Sequence, residues 1–174
     1  KPMVEIGGKP ILWHIMKIYS SYGLNDFIIC GGYKSEVIKN YFANYYLNNS
    51  TITFNLKTDS MKVHNNFSED WHVTVVDTGR DTMTGGRLKR IREFIEDDFC
   101  FTYGDGVSDI NIKELINFYK NNNNIATLTS VMSPEKFGKI SIDNNSFVKS
   151  FREKPESNNE MINAGFFVLS KKVF

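Results

Sequence analysis

A chain of 174 residues is the size of one domain and long enough to bury a core. Its 41% hydrophobic and 24% charged residues are ordinary for a soluble globular protein, and 21 basic against 20 acidic residues leave a formal net charge of +1. That balance supplies no field for gripping a nucleic-acid backbone, and no basic stripe with interleaved aromatics runs along the chain, which excludes a nucleic-acid partner.

No apolar stretch reaches the length of a bilayer span, and the opening residues do not read as a secretory leader, so a cytoplasmic protein with no membrane partner is expected. Cys30 and Cys100 each lie inside an apolar run (FIIC, FCFTY). They read as free buried thiols of a reducing compartment, not as a disulfide framework or a paired-cysteine metal site. The chain opens at Lys1-Pro2-Met3 and closes at Phe174 within an apolar run. Both ends read as cuts in a longer protein, so residues 1–174 are expected to form a single domain incomplete at each end.

Pro10–Tyr22 carries Ile11, Leu12, Ile15, Ile18 and Tyr19 at helical spacing, with Gly23 as a stop. Asp26–Gly31 (DFIICG) is a short buried-strand pattern, and Ser35 starts a second helix running to about Tyr46. Residues Asn48–Asp70 are polar and rich in Asn and Ser, and read as an insertion or mobile loop. Val73–Asp77 and Asp98–Tyr103 are two further strands. Between them Leu88, Ile91 and Ile95 turn inward from a helix whose Arg87, Lys89, Arg90 and Arg92 face solvent. Ile112–Lys120 is helical behind an Asn111 cap, and Ala126–Met132 is a strand. Gly138–Asp143 and Ser146–Phe151 form an alternating hairpin around Asn144-Asn145, and Ile162–Leu169 is the last strand. Alternating apolar strands and amphipathic helices predict an α/β fold: a Rossmann-like, doubly wound, mostly parallel sheet with a small antiparallel hairpin region appended.

Ligands of open parallel sheets gather at the carboxyl ends of the strands, and three features fall at such ends. Tyr103-Gly104-Asp105-Gly106 presents a carboxylate between two glycines. A hard oxygen ligand there suits Mg²⁺, which shares its coordination with substrate phosphates; a turn aspartate bonded to its own backbone reads the same way. Asp77–Arg87 (DTGRDTMTGGR) sets Gly85-Gly86 at the start of a helix, where amides can bond an anion or a base edge, although an ordinary glycine-rich turn has the same composition. Glu153-Lys154-Pro155 ends an alternating strand, and Lys154 is either a solvated edge charge or a point charge for a phosphate. His14, His64 and His72 form no metal pattern; His14 reads as a packed helix residue, and Trp13 and Trp71 as packing.

These segments together resemble the sugar-1-phosphate nucleotidylyltransferase family. KPMVEIGGKPILWHIMKIY is similar to the segment following that family's GGxGTRL loop, through Lys1, Ile6, Gly8, Lys9, Pro10, Ile11 and Leu12. FCFTYGDGVSDI resembles its metal-binding strand end, FREKP its EKP segment, and INAGFFVLS the strand bordering its sugar pocket. DTGRDTMTGGRLKR discriminates within the family and resembles the glucose-1-phosphate cytidylyltransferases, with Ala164 standing where a second glycine is frequent.

The resemblance implies the nucleotide-diphospho-sugar transferase fold and transfer of a cytidylyl group from CTP to glucose 1-phosphate. The products would be CDP-glucose, for deoxysugar and surface-polysaccharide synthesis, and pyrophosphate. It implies catalytic roles for Lys1, Asp105 and Lys154, with Asp105 as the Mg²⁺ ligand. Lys1, Thr82, Thr84, Gly85, Gly86, Arg87 and Gly104 would bind the nucleotide, with Arg87 donating to the cytosine. Gly138, Glu153, Lys154 and Asn163 would bind the sugar phosphate. A homo-oligomer is also implied.

The GGxGTRL loop is not among these residues, and the family's second metal-binding Asp is expected beyond Phe174, so residues 1–174 alone are expected to be inactive. Two readings stay beside this one: transfer to a different phosphorylated small molecule, and a nucleotide-binding regulatory subunit without catalysis, against which Lys1, Asp105 and Lys154 argue. A dinucleotide-dependent oxidoreductase is weaker, because no G-x-G-x-x-G follows a strand.

Overall fold

Pro10 has the fixed backbone that suits entry into a helix, and the chain around it uses this. In the computed structural model, which describes residues 1–132, 139–152 and 161–174, β1 (Glu5–Ile6) and β2 (Lys9–Pro10) pair antiparallel. They lead directly into α1 (Ile11–Ser20), whose Leu12, Ile15, Met16 and Tyr19 are buried. That spacing puts all four on one helical stripe, and burial of Leu12, Ile15 and Met16 contributes roughly 1.5–3 kcal/mol each. The chain folds as two compact units, Lys1–Phe94 and Ile95–Phe174.

In the first unit α1 is followed by β3 (Asp26–Gly31), α2 (Ser35–Ala43), α3 (Tyr45–Asn48), β4 (Ser50–Asn55), β5 (Ser60–Asn66), β6 (His72–Asp77) and α4 (Thr84–Arg90), with a 3₁₀ turn at Arg92–Phe94. β3 and β6 pair in parallel from Asp26↔His72 to Gly31↔Asp77, so their carboxyl ends emerge side by side. An aromatic cluster ties α1 to α3: Trp13 packs 6.0 Å from Trp71 and donates from Nε1 to the Tyr45 hydroxyl at 2.8 Å, and Phe27 lies 5.7 Å from Trp71. Both tryptophans serve packing, as the sequence reading has it. His14 is satisfied by the Ile6 carbonyl, 2.9 Å from Nε2.

Residues 48–70 correct the expectation of a loop. They form the end of α3 and an antiparallel hairpin, β4 with β5, in which Ile52 faces Val63 and Phe54 faces Met61. The strand period was hidden because the opposite face carries Thr, Asn, Lys and His, so the composition of the segment reads as polar.

In the second unit β7 (Phe99–Thr102), α5 (Ile112–Asn122), β8 (Ala126–Met132), β9 (Lys139–Ile142), β10 (Val148–Arg152) and β11 (Met161–Leu169) follow in order. The Asn111 side chain caps α5 by accepting from the Glu114 amide at 3.1 Å, as its place in the sequence predicts. β11 is the central strand, antiparallel to β7, β8 and β9, and β10 extends the sheet beyond β9. Ile112, Leu115 and Tyr119 of α5 and Ile162, Phe166 and Val168 of β11 are buried and form the core of this unit. The α/β class holds, with mixed sheets: among the described residues the parallel pairing is that of β3 with β6.

Candidate functional site

The loop leaving β6 is held from two directions. Thr78, fully buried, donates from its hydroxyl to the Gly31 carbonyl at 2.6 Å, locking the ends of the two parallel strands together. Arg87 of α4 then donates to the same carbonyl at 3.1 Å, to the Thr78 hydroxyl at 2.8 Å and to the Arg80 carbonyl at 3.0 Å. Arg90, one turn later, donates to the Thr78 carbonyl and to the Thr82 hydroxyl. A Cβ on Gly32 would run into the Arg87 guanidinium and displace that end of the side chain.

Thr82, Thr84, Gly85, Gly86 and Arg87 therefore belong to one built loop at the carboxyl end of a parallel strand pair, the position where such sheets take ligands. Three of Arg87's donor directions go to the protein itself, which leaves part of the guanidinium for a ligand. Beside the loop an open depression of about 530 Å³ is lined by Thr82, Gly86, Lys89, Arg90, Arg92 and Glu93. Three cations against one carboxylate make its lining net positive.

Sequence reasoning passed over Gly31, Thr78 and Arg90. The Gly31-Gly32 pair ending an apolar strand was the available signal. The role of Thr78 depends on strand pairing, which no local pattern reports.

In the second unit β7 ends at Thr102 and delivers Tyr103, Gly104 and Asp105. β11 shifts register between Asn163 and Phe167, a bulge containing Gly165 at φ +83°. Bulges re-aim side chains, and here the bulge turns Asn163 toward the β7 end. Asn163 Nδ2 donates to the Tyr103 hydroxyl at 3.2 Å, and its Oδ1 accepts from the Gly165 amide at 2.8 Å. The Thr102 hydroxyl donates to the Gly165 carbonyl at 2.8 Å, and a Cβ on Gly165 would meet the Tyr103 ring at 2.8 Å. The GDG segment and Asn163 are thus joined through Tyr103, which lies 60 residues before Asn163 in sequence. Neither Tyr103 nor Gly165 was singled out from the sequence, since an aromatic after a strand and a glycine within one have many uses.

Lys1 is exposed at the head of the first unit, its carbonyl accepting from the Val4 amide at 2.9 Å just before α1 begins. Gly138, Glu153 and Lys154 lie outside the described residues. Cys30 and Cys100 are both free thiols. Burial pushes both thiols up, against a smaller opposing pull of Arg87 on Cys30, and Cys100 rises to about 11. Burial therefore disfavours the thiolate, the reactive form, at both positions.

Residues 1–174, the whole chain, match the nucleotidyl transferase family model. The chain belongs to that family. It is 57% identical to the glucose-1-phosphate cytidylyltransferase of Salmonella typhi, an alignment covering 99% of this chain and 68% of that one. It is 43% identical to the Bacillus subtilis protein named "Probable glucose-1-phosphate cytidylyltransferase", over 100% of this chain and 68% of that one. Among solved structures, HddC from Yersinia pseudotuberculosis complexed with GMP-PN superposes with a TM-score of 0.74 at 23% identity, over 99% of this chain and 68% of that one. The shared fold is that of nucleotidyl transferases.

Proposed function

We propose that this nucleotidyl transferase moves a cytidylyl group from CTP to glucose 1-phosphate, giving CDP-glucose and pyrophosphate. The observation that carries this reading is the 57% identity to a glucose-1-phosphate cytidylyltransferase along nearly the whole chain. A phosphate oxygen of the sugar phosphate attacks the α-phosphorus of CTP; that P–O bond forms as the bond to the β-phosphate bridging oxygen breaks, and pyrophosphate leaves. Both reactants are anions, so the chain's work is neutralising charge and aligning the groups.

Lys1 offsets nucleotide phosphate charge, while the amides of Gly85 and Gly86 and the remaining Arg87 donors face the cytosine, whose O2 and N3 need donors. Thr82 and Thr84 shape the same loop, and Gly104 leaves room for the nucleotide sugar. Asn163, held by Tyr103, offers a donor and an acceptor to hexose hydroxyls, and Gly138, Glu153 and Lys154 complete the sugar-phosphate contacts.

Magnesium fits this donor set. Among the described residues no group of three or more His, Cys, Asp or Glu converges, and Mg²⁺ needs only one or two carboxylates beside phosphate oxygens and water. Asp105 would hold it, and when bound it neutralises phosphate charge. None of the described helices is long and apolar enough to cross a membrane. A cytoplasmic, homo-oligomeric enzyme supplying CDP-glucose for surface-polysaccharide synthesis completes the proposal.

The test is pyrophosphate release by the full-length protein with each nucleoside triphosphate and a panel of phosphorylated acceptors. CTP with glucose 1-phosphate should give the highest kcat/KM. A higher value with another pair replaces the substrate assignment, and CTP binding without turnover replaces the enzyme with a regulatory subunit.

A further inference from the structure

Arg87 and Arg90 lie one turn apart on α4 and grip the same loop at different points. Arg87 holds its start, through the Gly31 carbonyl and the Thr78 hydroxyl, and its middle, through the Arg80 carbonyl. Arg90 ties the start to the far end: its Nη1 donates to the Thr78 carbonyl and, at 2.7 Å, to the Thr82 hydroxyl. Among the described residues, Arg90 is the hydrogen-bond partner of that hydroxyl.

Both γ atoms of Thr82 are thereby fixed. A Cβ on Gly86 would meet Thr82 Cγ2 at 2.8 Å, so the methyl lies against the bare face of Gly86. On the other side a Cβ on Gly79 would meet Thr82 Oγ1 at 2.7 Å, and the chain turns there at a φ of +84°, which favours glycine. With its methyl against one glycine and its hydroxyl on Arg90, Thr82 is held in one rotamer. It is half-buried and, with Gly86 and Arg90, borders the open depression beside the loop.

A free threonine hydroxyl both donates and accepts. Accepting from a guanidinium polarises it: the oxygen becomes a poorer second acceptor, and the proton a stronger donor. We propose that Arg90 is a positioning residue for nucleotide choice: by donating to Thr82 it fixes that hydroxyl as a donor toward a base that presents a ring acceptor. Cytosine has such an acceptor at N3, where uracil carries an N–H, so a committed donor matches the first base and opposes the second. The inference rests on the cytidylyl reading above and names one source of its preference for CTP.

Paired KM and kcat values of the full-length protein with CTP and UTP, at saturating glucose 1-phosphate, test it. Arg90→Met and Thr82→Val should each raise the KM for CTP ~10-fold and cut the CTP-over-UTP ratio of kcat/KM by a similar factor, with kcat for CTP within about twofold of native. A contact remote from the reacting phosphorus binds ground and transition states alike, whereas a general loss of folded protein would lower kcat for both nucleotides together. Arg90→Lys keeps the charge but not the planar fork, and should lower the ratio in the same direction even where Arg90→Met does not fold. Thr82→Ser, which keeps the hydroxyl, should regain most of what Thr82→Val loses. Thr82→Val in the Arg90→Met background should add less than about twofold, because both changes act through one hydroxyl. Lys89→Met removes a neighbouring positive charge from the depression and should leave the ratio near native.

A native protein that prefers UTP, or neither nucleotide, overturns the cytidylyl reading and this inference with it. A native preference for CTP that survives in Arg90→Met, Arg90→Lys and Thr82→Val overturns the inference alone. An equal fall with Lys89→Met makes the effect one of general charge, and full additivity of Arg90→Met with Thr82→Val shows that Arg90 does not act through Thr82. Either result overturns the inference, as does a Thr82→Ser variant no better than Thr82→Val.

Discussion

Arg87 reaches back across 56 residues to donate to the Gly31 carbonyl at 3.1 Å. One side chain from the start of α4 thereby fixes the end of a strand laid down much earlier, and the loop between 77 and 87 closes around it. The bond to Thr78, itself bonded to Gly31, makes the three residues one unit.

Replacing that guanidinium should weaken both the fold and the nucleotide site. Hydrogen bonds to a charged donor contribute about 1.5–3 kcal/mol, and partial exposure of Arg87 puts the loss for Arg87→Ala near ~2 kcal/mol. The KM for CTP should rise ~10-fold, about 1.4 kcal/mol of lost binding, with a smaller change for glucose 1-phosphate. Arg87→Lys keeps the charge but not the planar fork and should recover little of either. Denaturant midpoints and paired KM values check this. A rise confined to the sugar phosphate places the base contact elsewhere.

The bulge at Gly165 yields a second expectation. Its φ of +83° and the nearby Tyr103 ring leave no place for a Cβ, and such backbone strain costs of order 1–3 kcal/mol. Gly165→Ala should lower stability by about that amount, and by displacing Tyr103 should raise the KM for glucose 1-phosphate more than that for CTP. Tyr103→Phe removes only the hydroxyl that Asn163 reaches and should move the same KM with little loss of stability. An unchanged sugar-phosphate KM in both variants would remove Asn163 from the hexose contacts.

Much of this architecture can be read from residue order because its strands carry apolar or β-branched runs between turn signals. DFIICG forms β3 over the residues expected, ATLTSVM likewise forms β8, and α5 starts behind Asn111 as its cap predicts. Where one face is polar, the period disappears into composition, which is why β4 and β5 read as a loop. Leu88, Ile91 and Ile95 were expected on one continuous helix, yet α4 ends at Arg90 and a 3₁₀ turn follows, although Ile91 and Ile95 are buried as anticipated. The loop of Thr82–Arg87 and the GDG turn were legible as strand-end motifs. Their partners were not, because Thr78 with Gly31 and Tyr103 with Asn163 are joined by tertiary contacts across 47 and 60 residues.

Asp105 should matter to turnover. It is exposed just past the end of β7. Asp105→Asn keeps the shape, removes the charge, and should lower kcat at saturating substrates by at least ~100-fold while raising the Mg²⁺ concentration required. Magnesium titrations of pyrophosphate release at fixed CTP give the result. Near-native rates with unchanged metal dependence would remove its metal role.

Cys100 should make stability fall at alkaline pH. Desolvation raises its thiol from 9.0 to about 11 in the fold, so above pH 9 the unfolded chain loses a proton that the folded chain keeps. The fold is then disfavoured progressively: the contribution is whole below pH 9 and is lost as pH climbs toward 11, at about 3 kcal/mol in all. Tyr41, also raised by burial, to about 12, acts in the same direction only above its ordinary value of 10.0, so the interval from pH 9 to 10 belongs to the thiols; Cys30, raised by burial too, acts over the same interval, and comparison with Cys100→Ala separates the two. Urea midpoints across pH 8 to 10.5 for the native protein and Cys100→Ala measure the difference. The native curve should fall more steeply from pH 9, and parallel curves would mean that the buried thiol is not what the alkaline side titrates.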